Sequence, residues 1–228
     1  EMCIRDRIDP VFSTSLPRDV AASCGMDALS QAIESYWSVN STAESKHYSK
    51  QAINLIMNNL EYACNSKDHL AKLSMCHGAY CAGKAINITK TTAPHALSYP
   101  FTSYYDIPHG HAVALTLGRF IEYNSKVSDN DCADPRGAKY VRETFNNLFN
   151  IMNVTCARDA RVKIEQLMKK IGLTTKLNDL FIDDLSVIRD NVNVQRLSNN
   201  PRRVTKLAIK EILNSLYSVS YTHLRAHE

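Results

Sequence analysis

Three of the eight histidines lie within one short, proline-interrupted segment of the chain: His95, His109 and His111. A proline in the first turn of a helix is well tolerated, because its missing N–H has no helical partner there. The segment therefore predicts one short helix that begins at Pro94 and ends at Pro100, and a second helix that begins at His109. Two imidazoles at adjoining helix ends can converge on one metal ion.

A metal centre needs further ligands, preferably an anionic oxygen that offsets the charge of the ion. Asp27 lies among apolar residues of an earlier predicted helix, where an unpaired carboxylate would be costly to bury. Gln31 follows four residues later and therefore lies on the same helix face. From the residues alone, two interpretations stay open: a metal site, or structural histidines with a capping aspartate.

The composition of the chain indicates the class of protein to which these side chains belong. The chain has 228 residues, of which 44% are hydrophobic and 22% charged, and no apolar run approaches the roughly 18 residues that cross a bilayer. A net charge of +4, dispersed along the chain, argues against a nucleic-acid partner. The seven cysteines lack CxxC spacing and no signal-peptide pattern is present, which predicts reduced thiols in a cytoplasmic protein.

Glycine content and apolar periodicity together predict the fold class. There are only 7 glycines, and none of them forms the G-x-G-x-x-G turn that binds dinucleotides. Apolar residues recur at helical spacing along most of the chain, which predicts an all-α, multi-helix bundle. The later helices are predicted near 136–151, 157–170, 178–190 and 201–216, the last of them capped by Asn200 with Pro201 in its first turn.

The two ends of the chain differ from the rest. Residues 1–7 show no periodicity, and residues 218–228 follow a helix that is predicted to end near Tyr217. Both segments resemble translated linker sequence and are interpreted as non-native flanks. Residues 8–217 are therefore predicted to form one helical domain.

Three motifs resemble the iron-containing (group III) alcohol dehydrogenases. They are the run from Leu16 to Tyr36, the Pro-His109-Gly turn fourteen residues after His95, and Asn200-Pro-Arg-Arg. The resemblance covers roughly residues 8–217. It implies the C-terminal, all-helical, metal-binding domain of a two-domain fold of the dehydroquinate synthase-like type, without the N-terminal nucleotide-binding α/β domain. On this basis we expect a fragment that is inactive by itself.

The resemblance also implies a ligand set. The family's metal is held by an Asp that matches Asp27, by two His that match His95 and His109, and by a His that falls on Gln31. A glutamine carbonyl is a neutral and weaker ligand than imidazole for iron or zinc, so the binding is expected to be looser. Many members carry another His four residues after His95, where this chain has Tyr99.

The implied activity is that of a metal-dependent, NAD(P)-linked alcohol dehydrogenase or aldehyde reductase. A divalent ion, Fe²⁺ or Zn²⁺, would polarise the aldehyde oxygen, and NAD(H) or NADP(H) would carry the hydride. Within the family, the sequences Ser-Gln-Ala-Ile-Glu-Ser and Pro-His-Gly-His-Ala are most similar to the branch that reduces phosphonoacetaldehyde. Lys90, Thr91 and Thr92 are candidates for binding such an anionic substrate, and His111 is a further candidate. The partners expected are a small aldehyde or alcohol, with no nucleic acid and no membrane, and a homodimer stays open.

Two alternatives belong to other classes. A metal-dependent helical hydrolase would show paired His-Asp dipeptides or a two-metal carboxylate cluster, and the nearest match is the reversed pair Asp68-His69. A metal-free helical binding module, with Gln31 as the mark of a decayed site, would bind no ion at all.

Overall fold

The computed structural model describes residues 9–66, 68–182 and 184–217, so the predicted flanks 1–7 and 218–228 lie outside the described residues. Within these ranges the chain is helical, without a strand beyond the isolated bridge between Cys132 and Arg202. The α-helices are α1 (Arg18–Trp37), α2 (Ala43–Asn65), α3 (His69–Thr89), α4 (Ala93–Tyr105), α5 (His109–Ser125), α6 (Ala138–Ile151), α7 (Ala157–Lys170), α8 (Ser186–Asp190), α9 (Val194–Leu197) and α10 (Lys206–Asn214). None of them is long and apolar enough to cross a membrane. The predicted all-α bundle is confirmed.

Helix α1 lies at the centre of the bundle. It packs against α2, α3 and α5, and 13 of its 20 residues are buried. Met26, Leu29 and Ile33 are completely buried, and each such side chain contributes roughly 1.5–3 kcal/mol by leaving water. Because α1 is enclosed on most of its circumference, its polar side chains face protein and need partners there.

Helix α4 is longer than predicted. It continues through Pro100 and ends at Tyr105, where Asp106 takes the left-handed conformation (φ 53°, ψ 24°). A proline inside a helix leaves the carbonyl four residues earlier without its donor. Here that carbonyl belongs to Ala96, and it accepts the backbone N–H of Asn193 at 3.3 Å instead. A segment almost one hundred residues away therefore compensates for Pro100.

Two helices predicted near the C-terminal end differ from the structure. In place of a helix over 178–190, a 3₁₀ turn at Asn178–Leu180 is followed by Phe181 in the left-handed conformation, and only the short α8 forms. The helix predicted over 201–216 begins at Lys206, capped by Thr205, whose hydroxyl accepts the N–H of Ala208 at 3.1 Å. Asn200 does not cap it, because its buried amide exchanges hydrogen bonds with Asn124 at 2.8 and 3.1 Å.

Candidate metal centre

Three side chains from three helices converge at one point. Asp27 comes from the middle of α1, His95 from the first turn of α4, and His109 is the first residue of α5. Asp27 Oδ1 lies 3.2 Å from His95 Nε2 and 3.8 Å from His109 Nε2, and the three donor atoms all lie within 4.8 Å of one another. Among the described residues, this is the one group of three or more His, Cys, Asp or Glu side chains with metal-ligand geometry.

Burial differs across the centre. The His95 side chain is 4% exposed, that of Asp27 24% and that of His109 38%. The centre is therefore closed on the His95 side and open to solvent on the His109 side. Three protein donors with one accessible side are typical of a catalytic metal site, which keeps a coordination position for substrate or water.

A glycine lets α5 approach α1 at this point. A Cβ atom on Gly110 would overlap the backbone carbonyl of Ser23 and would lie 2.9 Å from the Cβ of Asp27. The absent side chain thus brings His109, the neighbouring residue, within reach of Asp27. Ser98 Oγ lies 3.4 Å from His109 Nδ1, so Nδ1 faces Ser98 and Nε2 faces Asp27.

Glu34 is a further residue of the candidate centre, and the sequence analysis missed it. Its carboxylate is completely buried and accepts three hydrogen bonds: from the Thr92 backbone N–H at 2.5 Å, from the Thr92 hydroxyl at 2.8 Å and from His95 Nδ1. Trp37 Nε1 donates to the same hydroxyl at 3.0 Å. With its Nδ1 proton held by Glu34, His95 would offer the lone pair of Nε2 to a bound ion; without an ion, Nε2 lies within hydrogen-bonding distance of Asp27 Oδ1, at 3.2 Å. Glu34 lies seven residues after Asp27, on the same face of α1, and this spacing was the available signal.

The electrostatics of the centre call for a cation. Burial alone would lower the pKa of His95, but the carboxylates of Glu34 and Asp27 outweigh it and raise this pKa to about 9. Burial lowers the pKa of His109, although Asp27 opposes the change. One carboxylate oxygen and two imidazole nitrogens are donors that suit divalent iron or zinc. The carboxylates favour a positive charge at this point, and a divalent ion would supply it. The residues present therefore fit a divalent metal.

Gln31, the predicted fourth ligand, lies beside the centre and contacts it through Asp27. Its side-chain amide donates from Nε2 to Asp27 Oδ2 at 2.8 Å. This bond holds the carboxylate so that its other oxygen, Oδ1, faces the two histidines. In this arrangement Gln31 orients a ligand, and its coordination of an ion stays a prediction.

The residues predicted to bind substrate are dispersed around the centre. Lys90 is exposed at the C-terminal end of α3, with φ 61°, and Thr91 is buried beside it. The Thr92 hydroxyl is already engaged by Glu34 and Trp37, as described above. His111 donates from Nε2 to the carbonyl of Thr174 at 2.7 Å, and burial lowers its pKa. Thr92 and His111 thus carry structural bonds, whereas the roles of Lys90 and Thr91 in substrate binding stay predictions.

Comparison with known proteins supports the fold and the family. The family model for the C-terminal domain of Fe-containing alcohol dehydrogenases matches residues 21–217. Phosphonoacetaldehyde reductase of Streptomyces viridochromogenes is 35% identical over 205 residues, which are 90% of this chain and 51% of that protein. The 1,3-propanediol dehydrogenase of Klebsiella pneumoniae is 30% identical over 77% of this chain and 44% of its own length. The chain spans about half the length of the curated relatives it matches.

Solved structures give the same result. Sulfoacetaldehyde reductase from Bifidobacterium kashiwanohense, in complex with NAD⁺, superposes with a TM-score of 0.80 at 29% identity, over 92% of this chain and 54% of that one. An alcohol dehydrogenase from Oenococcus oeni superposes with a TM-score of 0.78 at 29% identity, over the same shares. The predicted cofactor class, a divalent metal with a nicotinamide nucleotide, is that of the family. The chain belongs to the Fe-containing alcohol dehydrogenases and carries their C-terminal, all-helical domain.

Proposed function

We propose that this chain is the metal-binding half of an NAD(P)-linked alcohol dehydrogenase that reduces a small aldehyde. The observation that carries the proposal is the convergence of Asp27, His95 and His109 on one point, with Glu34 buried behind His95. A fully buried carboxylate, Glu34, and a partly buried one, Asp27, beside two histidines are costly unless their charge is compensated, and a bound cation would compensate it.

Each residue has a separate task in this proposal. Asp27, His95 and His109 would hold the ion, and a divalent iron or zinc bound there supplies Lewis acidity toward a carbonyl oxygen. Glu34 keeps the Nδ1 proton on His95, so that Nε2 stays a donor to the ion. Gln31 fixes the rotation of the Asp27 carboxylate. His109, the most exposed of the three ligands, borders the side from which substrate can enter.

Family membership supports the proposals for the hydride donor and the substrate. The described residues contain no strand-based nucleotide site, so the nicotinamide is assigned to a nucleotide-binding half of the enzyme. Two of the relatives named above reduce acetaldehydes that carry an acidic group, a phosphonate in one and a sulfonate in the other, by their names. We therefore propose an aldehyde of this kind as the substrate, with phosphonoacetaldehyde as the first candidate.

The test is turnover in the complete enzyme, with this chain joined to its nucleotide-binding half. Loss of NADH absorbance on adding phosphonoacetaldehyde is expected, and treatment with a chelator should abolish it until Fe²⁺ or Zn²⁺ is restored. His109→Ala should lower the rate by at least about 100-fold. His77→Ala removes an exposed histidine of α3 and should leave the rate unchanged. Chelator-resistant reduction that survives His109→Ala would contradict the proposal.

A further inference from the structure

Arg196 lies beside the metal centre without a carboxylate partner. Five of the ten arginines in the described residues form ion pairs, namely Arg119, Arg136, Arg161, Arg189 and Arg202. No described carboxylate pairs with Arg196, and its guanidinium hydrogen-bonds from Nη1 to the hydroxyl of Thr91. An arginine next to a metal centre that keeps most of its donors available is suited to bind an anion.

Arg196 is held in a defined place by the chain around it. It belongs to α9, and the segment before that helix bonds to α4 through Asn193 N–H and the Ala96 carbonyl at 3.3 Å. After the helix, Asn199 Nδ2 donates to the Thr91 carbonyl at 3.0 Å. The chain on both sides of α9 is therefore anchored near the first turn of α4, which carries His95, and the Thr91 hydroxyl orients the guanidinium, so less side-chain entropy is lost when it binds a ligand.

One aromatic ring connects Arg196 to the metal centre. The guanidinium carbon lies 5.5 Å from the ring centroid of Tyr99, and the same ring lies 5.8 Å, centroid to centroid, from the imidazole of His109. Because both groups contact the Tyr99 ring, the guanidinium carbon lies no more than about 11 Å from the centre of the His109 imidazole, and a short ligand can lie between them.

A cavity next to Arg196 has the charge that an anion needs. It measures about 300 Å³ and is lined by Asn87, Lys90, Thr91 and Arg196, together with two apolar residues and no carboxylate. Two cations, an amide and a hydroxyl are groups that bind tetrahedral oxyanions. Lys90 is exposed and adds charge, whereas the planar guanidinium of Arg196 can bind two oxygens at once.

We propose that Arg196, assisted by Lys90 and Thr91, binds the phosphonate or sulfonate group of an acidic aldehyde whose carbonyl lies at the Asp27–His95–His109 centre. This inference rests on the proposed function and names the residue that selects acidic over neutral aldehydes. It differs from the ligand set expected from the sequence, since Thr92 is engaged by Glu34 and Arg196 takes the principal part.

Direct binding tests the proposal without turnover. Ethylphosphonate is titrated into the zinc-loaded chain and its binding followed by phosphorus NMR. Arg196→Gln should weaken the affinity about tenfold, because one charge-assisted pair of hydrogen bonds is lost. Arg196→Lys keeps the positive charge but loses the planar guanidinium that binds two oxygens, so it should weaken the ethylphosphonate affinity several-fold. It also tests the proposal if Arg196→Gln folds poorly. Lys90→Gln should cost about twofold, since its charge is screened by solvent.

Arg189→Gln is the matched control, because it removes an exposed arginine of α8 that pairs with Asp190. It should leave the ethylphosphonate affinity and the zinc affinity unchanged. No saturable binding to the wild-type chain, or equal affinity in wild type and Arg196→Gln, would overturn the proposal. Competition by ethanesulfonate would extend the supported ligand class to sulfonates, and its absence would restrict the class to phosphonates.

Kinetics separate this proposal from the proposed function. In the complete enzyme, Arg196→Gln should raise KM for phosphonoacetaldehyde about tenfold and lower kcat/KM for propionaldehyde by a much smaller factor, about twofold at most. Equal losses for both aldehydes would overturn the role of Arg196 while the dehydrogenase stands. If the wild-type enzyme reduces neither aldehyde, the proposed function fails, and the ethylphosphonate titration still decides whether Arg196 binds the anion.

Discussion

The buried carboxylate of Glu34 accepts a hydrogen bond from His95 Nδ1, and the opposite nitrogen of the same ring, Nε2, lies 3.2 Å from Asp27 Oδ1. One imidazole thus connects a carboxylate in the protein interior to a carboxylate at the open centre. Because both carboxylates come from α1, seven residues apart, this helix orients the imidazole of His95, a candidate metal ligand that belongs to α4. The centre is organised around α1, and the following predictions test that organisation.

Glu34 should control the metal affinity although it lies behind His95 and would not itself coordinate the ion. Glu34→Gln removes the negative charge behind His95, and we expect the zinc affinity to fall about 10–100-fold. Competition with a chromophoric chelator measures this directly. Glu44→Gln, at an exposed position in the first turn of α2, is the control and should not change the affinity. Equal affinities in wild type and Glu34→Gln would show that His95 needs no such support.

Gly110 should be required for the close approach of α5 to α1. In Gly110→Ala the new methyl group meets the Ser23 carbonyl, so α5 must shift, at a cost of about 1–3 kcal/mol or more in the free energy of unfolding. The zinc affinity should fall as well, because His109 moves with α5. Gly83→Ala is the matched control in α3, where no atom lies within 4 Å of the added carbon. There the free energy of unfolding should rise by about 0.5–1 kcal/mol, and a similar gain in Gly110→Ala would refute the account.

The metal-free chain should lose stability as the pH rises. His95 has an ordinary pKa of 6.5 and a raised folded-state pKa of about 9, so its protonation stabilises the fold fully below pH 6.5 and progressively less up to about pH 9. The loss is of the order of 3 kcal/mol, measured by urea unfolding after chelation. Below pH 6.5 the lowered pKa of His109 acts in the opposite direction.

His95→Gln is the control for this pH dependence, because it removes the titrating group. Its stability should change little between pH 6.5 and 9. With zinc bound, the trend should reverse, since protons compete with the metal for the same nitrogen atoms. A metal-free wild type that grows more stable over this range would contradict the assigned charges.

Replacing Gln31 by histidine should strengthen the centre. Gln31 lies one helical turn after Asp27, at the position where the family resemblance implies a histidine ligand. Imidazole is a better donor to zinc or iron than a neutral amide oxygen, so Gln31→His should raise the zinc affinity at least about tenfold in the competition assay. Gln166→His, at an exposed position of α7 without a histidine or cysteine one turn away, serves as the control. No gain would show that position 31 orients Asp27 without reaching the ion.

Much of the centre could be predicted from the sequence. His95 and His109 were predicted to meet because prolines divide their segment into two helix starts, and Asp27 because a carboxylate in an apolar helix needs a partner. Glu34 lies on the same face of α1, yet its partner His95 is 61 residues away. The spacing of residues along the chain does not predict contacts between such distant segments. Arg196 could not be predicted for the same reason, since it contacts Thr91 across 105 residues.

The fold was predictable where local signals dominate. The helices over 138–151 and 157–170 have strong apolar periodicity and agree with prediction to within two residues. The errors lie where long-range contacts override a local signal. Asn200 has the side chain of a helix cap, but it is buried against Asn124, and Pro100 should end α4, but Asn193 compensates for its missing hydrogen bond.

Metal content tests the central claim most directly. Elemental analysis of protein purified without chelator should find about one iron or zinc per chain. The ion should be lost in His109→Ala and retained in His77→Ala, whose histidine is exposed on α3. Absence of metal from the wild-type chain, or full retention in His109→Ala, would contradict a metal centre at Asp27, His95 and His109.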